Sequence, residues 1–388
     1  MDVMAMDSQY IAGTYRRFPL EIAGGQGAAV YGADGKKYID LGAGIGVNIF
    51  GLGDEEWKNA VTKQLDLFQH CSNLYYSRPA AELAKLLCEK TGMSRVFFSN
   101  SGAESNECAI KAARKWAAEA KGKEYYNIIT LNKSFHGRTL ATLAATGQEV
   151  FHRDFQPLPG GFLYADAGDR DGVEQLLKEH PCAAILFEAV QGEGGVMPIG
   201  KAFAQDLQEL ARKYNVLLMA DEVQVGNGRS GKYFGYMNYG VHPDVVSTAK
   251  GLAGGLPLGA TLFNEKTAHA LGVGDHGTTF GGNPVCCAGG VSIISRIDDQ
   301  LLAGVRERSD YIMKELTGVP GIKKVTGMGL MLGLEIEKPA REFAEDLLHH
   351  GVLVTTAKEK IRLLPCLNIP MELLKSAVQI IKDCAAQQ

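Results

Sequence analysis

Short, uninterrupted apolar runs recur along the middle of the chain, and longer stretches of helical period separate them. Val96-Phe97-Phe98, Ile128-Ile129-Thr130, Ala183-Ala184-Ile185-Leu186-Phe187, Val216-Leu217-Leu218-Met219-Ala220 and Val245-Val246-Ser247-Thr248 are such runs. None alternates apolar with polar positions, so each reads as a strand buried on both faces. Helical spacing covers residues 103–122 and 203–214. Strands alternating with helices predict an α/β fold, a central mostly parallel sheet flanked by helices.

The two ends of the chain follow another pattern. Residues 19–49 read as a meander, with Val30-Tyr31 and Lys37-Tyr38-Ile39-Asp40 on either side of the turn Ala33-Asp34-Gly35. After residue 283 the spacing predicts a long helix over 284–302, then short strands at 330–335, 352–355 and 361–364. The expected organisation is a large domain over 51–283. A smaller α+β domain would be built from both ends, residues 1–50 and 284–388.

Composition narrows the classes. With 388 residues, 46% hydrophobic and 22% charged, the chain can bury a core without disulfide or metal support. A net charge of −4 lacks the basic footprint of a nucleic-acid partner. Eight cysteines form no CxxC pair and no Cys/His cluster at zinc spacing, and read as reduced core thiols. The N-terminus is acidic where a signal peptide is basic and apolar. The most apolar stretch, 251–263, is interrupted by Pro257 and falls short of the ~20 residues of a membrane span. The expectation is a soluble cytoplasmic protein acting on small molecules, without a membrane, nucleic-acid or metal partner.

Open α/β sheets bind ligands beyond the carboxyl ends of their strands, so the residues after each run are candidates. Lys250 follows Val245–Thr248 and precedes Gly251, Gly254 and Gly255, with Asp244 the only acid between Pro243 and Glu265. Apolar surroundings disfavour the ammonium form and make the amine nucleophilic. In isolation such a lysine reads as one snorkelling to solvent. Ser101, Gly102 and Ala103 open a helix after Val96–Phe98, an arrangement suited to an anion; Ser101 and Glu104 also have capping-box spacing. Asp221 ends an apolar strand and needs a partner, either a protonated heterocycle nitrogen or a structural cation. Glu188 and Glu193 sit on a glycine-rich loop. Phe135 can cover a ring, and Arg138 can clamp a carboxylate. His136 has no second metal ligand at suitable spacing and reads as structural. Thr278 and Thr279 precede a helix, and Arg362 interrupts an apolar strand, where arginine needs a buried partner. Gly42-Ala43-Gly44-Ile45-Gly46 matches half a dinucleotide fingerprint without its helix; a nucleotide-dependent enzyme would use it. An anion site, an acid for a ring nitrogen, an aromatic for a ring face and a nucleophilic lysine together make the inventory of pyridoxal 5'-phosphate.

The segments SNSGAESNECAIKAAR, FHGRT, VQGEGG, DEVQVGNGRSG, PDVVSTAKGLAGGLPLGA, HGTTFGGNP and RLLPCLNI resemble the class III, fold-type-I pyridoxal-phosphate-dependent aminotransferases. Within them the likeness is to the acetylornithine branch, from about Thr14 to the C-terminus. Phe280 favours that branch over the ornithine one, which tends to have tyrosine there. The resemblance implies a Schiff base between Lys250 and the cofactor. Asp221 would pair with the pyridine nitrogen, Gln224 would lie near the ring hydroxyl, and Phe135 would stack on the ring. Ser101, Gly102 and Ala103 would hold the phosphate, joined by Thr279 from the neighbouring subunit of a homodimer. Arg138, Arg362, Glu193 and Thr278 would serve the substrates, Glu193 releasing Arg362 when 2-oxoglutarate binds. The implied reaction is ping-pong transfer of an ω-amino group, from N2-acetylornithine or from succinylornithine, ornithine, 4-aminobutyrate or a carrier-linked lysine. A non-catalytic relative would be damaged at Lys250, Asp221 or Thr279, and all three are present. The chain departs from many relatives at Gly51–Glu55, Ala189 and Val225, which bears on the rim of the substrate pocket.

Overall fold

The computed structural model describes residues 2–387. Its largest sheet has seven strands in the order Arg95–Ser99, Gly259–Phe263, Val245–Thr248, Leu217–Asp221, Cys182–Glu188, Asn127–Leu131 and Phe162–Ala165. Gly259–Phe263 runs antiparallel to both neighbours, and every other pairing is parallel. Cys182–Glu188, Leu217–Asp221, Val245–Thr248 and Gly259–Phe263 are buried at every position. That is why they carry no alternation: both faces lie under helices. Burying each Leu or Ile of these strands contributes roughly 1.5–3 kcal/mol.

The helix Gly102–Ala120 presents Cys108, Ala109, Ala112, Ala113 and Ala117 as a buried stripe. These small side chains let its axis lie close over the sheet. Because six strands share one direction, Ser99, Glu188, Asp221 and Thr248 all end at the same edge. The sequence pattern did not reveal Gly259–Phe263 as a strand, since it lies in an apolar stretch punctuated by glycine and proline.

Two smaller sheets involve the chain ends. Ile22–Gln26, Ala29–Gly32, Lys37–Asp40 and Val352–Leu353 form one; Ile322–Met328, Met331–Ile336, Lys360–Leu363 and Thr355–Ala357 form the other. The expected hairpin around Ala33-Asp34-Gly35 is present, with Ala29–Gly32 antiparallel to Lys37–Asp40. Two expectations need correction. The single strand over 352–355 is divided at Val354: Val352–Leu353 pairs with Lys37–Asp40, and Thr355–Ala357 pairs with Lys360–Leu363. The long helix over 284–302 is two helices, Pro284–Ser295 and Asp299–Leu316. Asp298 starts the second by accepting the Leu301 N–H at 2.8 Å, a side-chain cap that apolar period alone does not reveal.

Gly42–Gly46 folds into a kinked turn with Gly44 and Ile45 in the left-handed region. The next full helix starts only at Glu55, so the glycines do not open a helix as a dinucleotide fingerprint requires. Gly46 packs on the buried Arg229, whose Nε would lie 3.1 Å from an added Cβ. No helix among the described residues is long and apolar enough to cross a membrane.

Candidate active site

A cavity of 620 Å³ opens at the carboxyl edge of the large sheet. Ser101, Gly102, Ala103, Phe135, Arg138, Glu193, Asp221, Gln224 and Lys250 line it. The sequence had placed these residues on separate loops, and the parallel sheet brings them together.

Lys250 stands two residues beyond Val245–Thr248, with φ of 44°. A left-handed conformation in a non-glycine residue stores about 1–3 kcal/mol and turns the chain away from the strand at the cavity. Its amine has no hydrogen-bond or ion-pair partner among the described residues. Burial pushes that amine down to about 8; Glu193 draws it up, Arg362 pushes it further down, and Asp221 and Glu188 draw it up again. The acids come from other segments of the chain, Asp221 and Glu188 from strand ends and Glu193 from a loop, so the surroundings are less apolar than the local sequence implied.

Asp221 ends Leu217–Asp221 and is 4% exposed. Its Oδ2 accepts the Asn106 Nδ2 hydrogen bond at 2.7 Å and lies 2.8 Å from His136 Nδ1. Its Oδ1 accepts the Val223 N–H at 3.0 Å. Asn106 is itself fixed: the Ser247 hydroxyl donates to its Oδ1 at 2.5 Å, and its Nδ2 also donates to the His136 carbonyl at 2.8 Å. His136 is buried, and its Nε2 has no hydrogen-bond partner among the described residues. Among the described residues no cluster of His, Cys, Asp and Glu could hold a metal ion.

The neighbouring acids do structural tasks. Glu222 accepts the N–H groups of Gly235 and Tyr236 at 2.7 and 2.9 Å, and burial pushes it up to about 8. Glu188 accepts the N–H groups of Phe135 and Gly192 at 2.8 and 3.2 Å. Burial raises it above the usual carboxylate range, opposed by His136. It thereby fixes two loops that face the cavity.

At the start of Gly102–Ala120, Ser101 Oγ accepts the Glu104 N–H at 3.2 Å, and Glu104 accepts the Asn100 N–H at 2.7 Å. Capping uses the serine and glutamate side chains, while Gly102 and Ala103 border the cavity with first-turn amides that no helical carbonyl can reach. An added Cβ on Gly102 would come within 2.5 Å of Val223, so the helix start and the turn after Asp221 pack without room for a side chain.

Two arginines serve the cavity differently. Arg138 is exposed, with its guanidinium carbon 4.3 Å from the Phe151 ring centroid and 5.4 Å from that of Phe135. Arg362 is 3% exposed and does not line the cavity. Glu193 and Gln224 cover it: Arg362 Nη1 donates to Glu193 Oε1 and, at 3.0 Å, to Gln224 Oε1. Gln224 Nε2 also donates to Glu193 at 3.2 Å. Burial pushes the Glu193 carboxyl up, but the charge and hydrogen bond of Arg362 outweigh it and hold the group below its ordinary value.

Thr278 and Thr279 lie outside the cavity of their own chain. The Thr278 hydroxyl accepts from Asn100 Nδ2 at 3.1 Å and from the Gly281 N–H at 3.3 Å, and Thr279 is exposed. Tyr15 and Asn106 border the cavity and were not anticipated; nor was Phe151 beneath Arg138. Asn106 had a readable signal, a polar residue one turn into the buried stripe of a helix. Tyr15 and Phe151 had none, because only tertiary packing brings them to the site.

A family model described as aminotransferase class-III matches residues 10–385. The acetylornithine aminotransferase of Haemophilus ducreyi is 44% identical over 387 residues, covering 99% of this chain and 98% of the relative. That of Aquifex aeolicus is 42% identical, covering 96% and 99%. Among solved structures, ornithine aminotransferase from Toxoplasma gondii, with partial occupancy of PLP at its active site, aligns with a TM-score of 0.94 at 30% identity, covering 99% of this chain and 94% of that one. N-acetylornithine aminotransferase from Stenotrophomonas maltophilia aligns with a TM-score of 0.85 at 32% identity, covering 99% of both chains.

Proposed function

The chain belongs to the class III aminotransferase family, and from that premise we propose that it transfers the δ-amino group of N2-acetyl-L-ornithine to 2-oxoglutarate, in the manner of arginine biosynthesis. The products are N-acetyl-L-glutamate 5-semialdehyde and L-glutamate. The observation that carries this reading is the unpartnered Lys250 amine in one cavity with Asp221, bordered by Arg138 and backed by Arg362. The curated relatives named above support acetylornithine as the donor.

The residues present fit pyridoxal 5'-phosphate. Lys250 offers a free amine, Asp221 a fixed carboxylate, Phe135 a ring face, and Ser101, Gly102 and Ala103 a helix start with amides for a phosphate. When bound, the cofactor supplies a conjugated ring that accepts the electrons of a breaking C–H bond. Asp221 presents its carboxyl group where a protonated ring nitrogen needs a partner, and Asn106 and His136 prevent it from turning away. Lys250 holds and returns a proton at Nζ; burial lowers its amine from the ordinary lysine value, in the direction that general acid–base work requires. Arg138 binds the donor's carboxylate. Glu193 occupies Arg362 while the donor is bound and yields it to a carboxylate of 2-oxoglutarate.

We further propose that the working unit is a homodimer. Leu74, Tyr75, Tyr76 and Phe280 are exposed, and Asn73 ties their two segments together by donating to the carbonyls of Thr278 and Gly281 at 3.0 and 2.9 Å. A contiguous exposed apolar patch suits a partner surface, and a second copy seated there would meet Thr279.

The test is glutamate formation from 2-oxoglutarate with N2-acetylornithine, N2-succinylornithine, ornithine or 4-aminobutyrate, with Lys250→Ala as control. Preferred turnover of acetylornithine, absent in the variant, is expected. Preference for another amine overturns the donor assignment alone. No turnover with any amine, in protein that carries the cofactor, overturns the substrate reading.

A further inference from the structure

We propose that Thr355 is a positioning residue that holds Arg362 as a stationary carboxylate receptor when Glu193 releases it. The inference rests on the 2-oxoglutarate reading above and adds how the receptor survives the loss of its acid.

Arg362 is held at several points. Its strand, Lys360–Leu363, is paired on both sides, with Met331–Ile336 and with Thr355–Ala357. Thr355 is its direct cross-strand neighbour. The Thr355 hydroxyl donates to the Arg362 carbonyl at 3.3 Å and accepts from Arg362 Nε at 3.1 Å. A hydroxyl has one proton and two lone pairs, so the bond to the carbonyl orients the oxygen to accept from Nε. Gln224 Oε1 takes Nη1 at 3.0 Å. If Glu193 leaves, Nε and Nη1 keep these two acceptors and the guanidinium plane stays where it is. Glu193 has no comparable anchorage. It sits between Gly192 and Gly194-Gly195 on the loop joining Val190–Gln191 to Met197–Pro198. Its side chain is 29% exposed, against 3% for Arg362.

A receptor fixed in advance loses less freedom when a carboxylate binds. Without the Thr355 hydroxyl, the guanidinium can rotate after Glu193, and the acceptor must order it again. The donor binds while Arg362 is still paired with Glu193, so the donor should not sense the change.

The experiment compares Thr355→Val, which keeps the branched shape, with Thr355→Ser, which keeps the hydroxyl, both as holoenzyme with an unaltered cofactor absorbance band. The readouts are KM for 2-oxoglutarate and for N2-acetylornithine, and the calorimetric affinity for glutarate, a dicarboxylate that cannot react. For Thr355→Val, 2-oxoglutarate KM should rise and glutarate affinity should fall about tenfold, the scale of one hydrogen bond to a charged group. Donor KM should change less than twofold, and Thr355→Ser should resemble the wild type. Unchanged dicarboxylate binding in Thr355→Val, or equal losses for donor and acceptor, overturns the inference while the acceptor reading stands. Wild-type holoenzyme that neither binds glutarate nor uses 2-oxoglutarate overturns both.

Discussion

The strand-end wall of the cavity and the wall in front of Arg362 are built on opposite plans. At the strand ends, Asp221 is gripped by Asn106, His136 and its own turn, and Asn106 is gripped in turn by Ser247. In front of Arg362 the acid is placed for the proposed exchange: Glu193 sits on a glycine-flanked loop, bonded to side chains that a carboxylate can also satisfy. A catalyst that runs two substrates through one cofactor needs both plans, constant electrostatics at the ring and replaceable ones at the carboxylate.

The largest effect is expected at the constant wall. Lys250→Ala should lower turnover on the order of 10³-fold or more, the upper range for losing a proton-transfer group. The cofactor absorbance should change while circular dichroism does not; near-wild-type turnover would remove Lys250 from the chemistry. Asp221→Asn preserves the shape and removes the charge. It should slow the donor half-reaction about 10²-fold, as loss of one preorganised electrostatic group does, with little change in KM. Single-turnover absorbance kinetics would measure this, and an effect confined to KM would show that the charge is not used at the ring.

At the exchangeable wall the effects should be smaller and should fall on the binding of 2-oxoglutarate rather than on that of the donor. Glu193→Gln removes the competitor for Arg362. 2-Oxoglutarate should then inhibit the donor phase about tenfold more strongly, a change of about 1.4 kcal/mol. Unchanged inhibition constants would mean that Glu193 does not guard Arg362. Gly192→Ala should give the least change, a few-fold rise in 2-oxoglutarate KM, because its Cβ would approach Gln224 Oε1 to 2.5 Å and displace it from Arg362; donor KM is the control.

Lys250 also predicts a pH signature in cofactor-free protein. Its folded-state value, about 8, lies below the ordinary 10.5. Between those values the unfolded chain binds more protons, so stability rises with pH across that window, and the full penalty is present below it. Lys250→Met should therefore raise the melting temperature by a few degrees at pH 7 and by less at pH 10. An equal rise at both would place the effect in packing rather than charge.

The constant wall was readable in the sequence because its signals are local. Asp221 and Lys250 are charged residues at the ends of apolar runs, and Gly102 and Ala103 follow a strand and open a helix. The exchangeable wall was readable only in part. Arg362 stood out as a charge in an apolar strand, but Thr355 is an ordinary strand residue until cross-strand register sets it beside Arg362. Phe151 under Arg138 is a further contact that spacing cannot supply. The same limit explains the acids around Lys250, which arrive from two strand ends and a loop, and the break at Val354, where one apolar run serves two sheets.

That break also governs what a growing chain exposes during synthesis. Lys37–Asp40 has Ala29–Gly32 on one side from the start, but its other neighbour, Val352–Leu353, is made about 300 residues later. Until that neighbour is made, the strand offers unpaired backbone groups to any passing chain. Lysines are a common guard on such edges, and Lys36 and Lys37 stand at its entrance with Asp40 at its exit. Charges beside an unpaired edge disfavour its pairing with another chain while its own partner strand is still to be made.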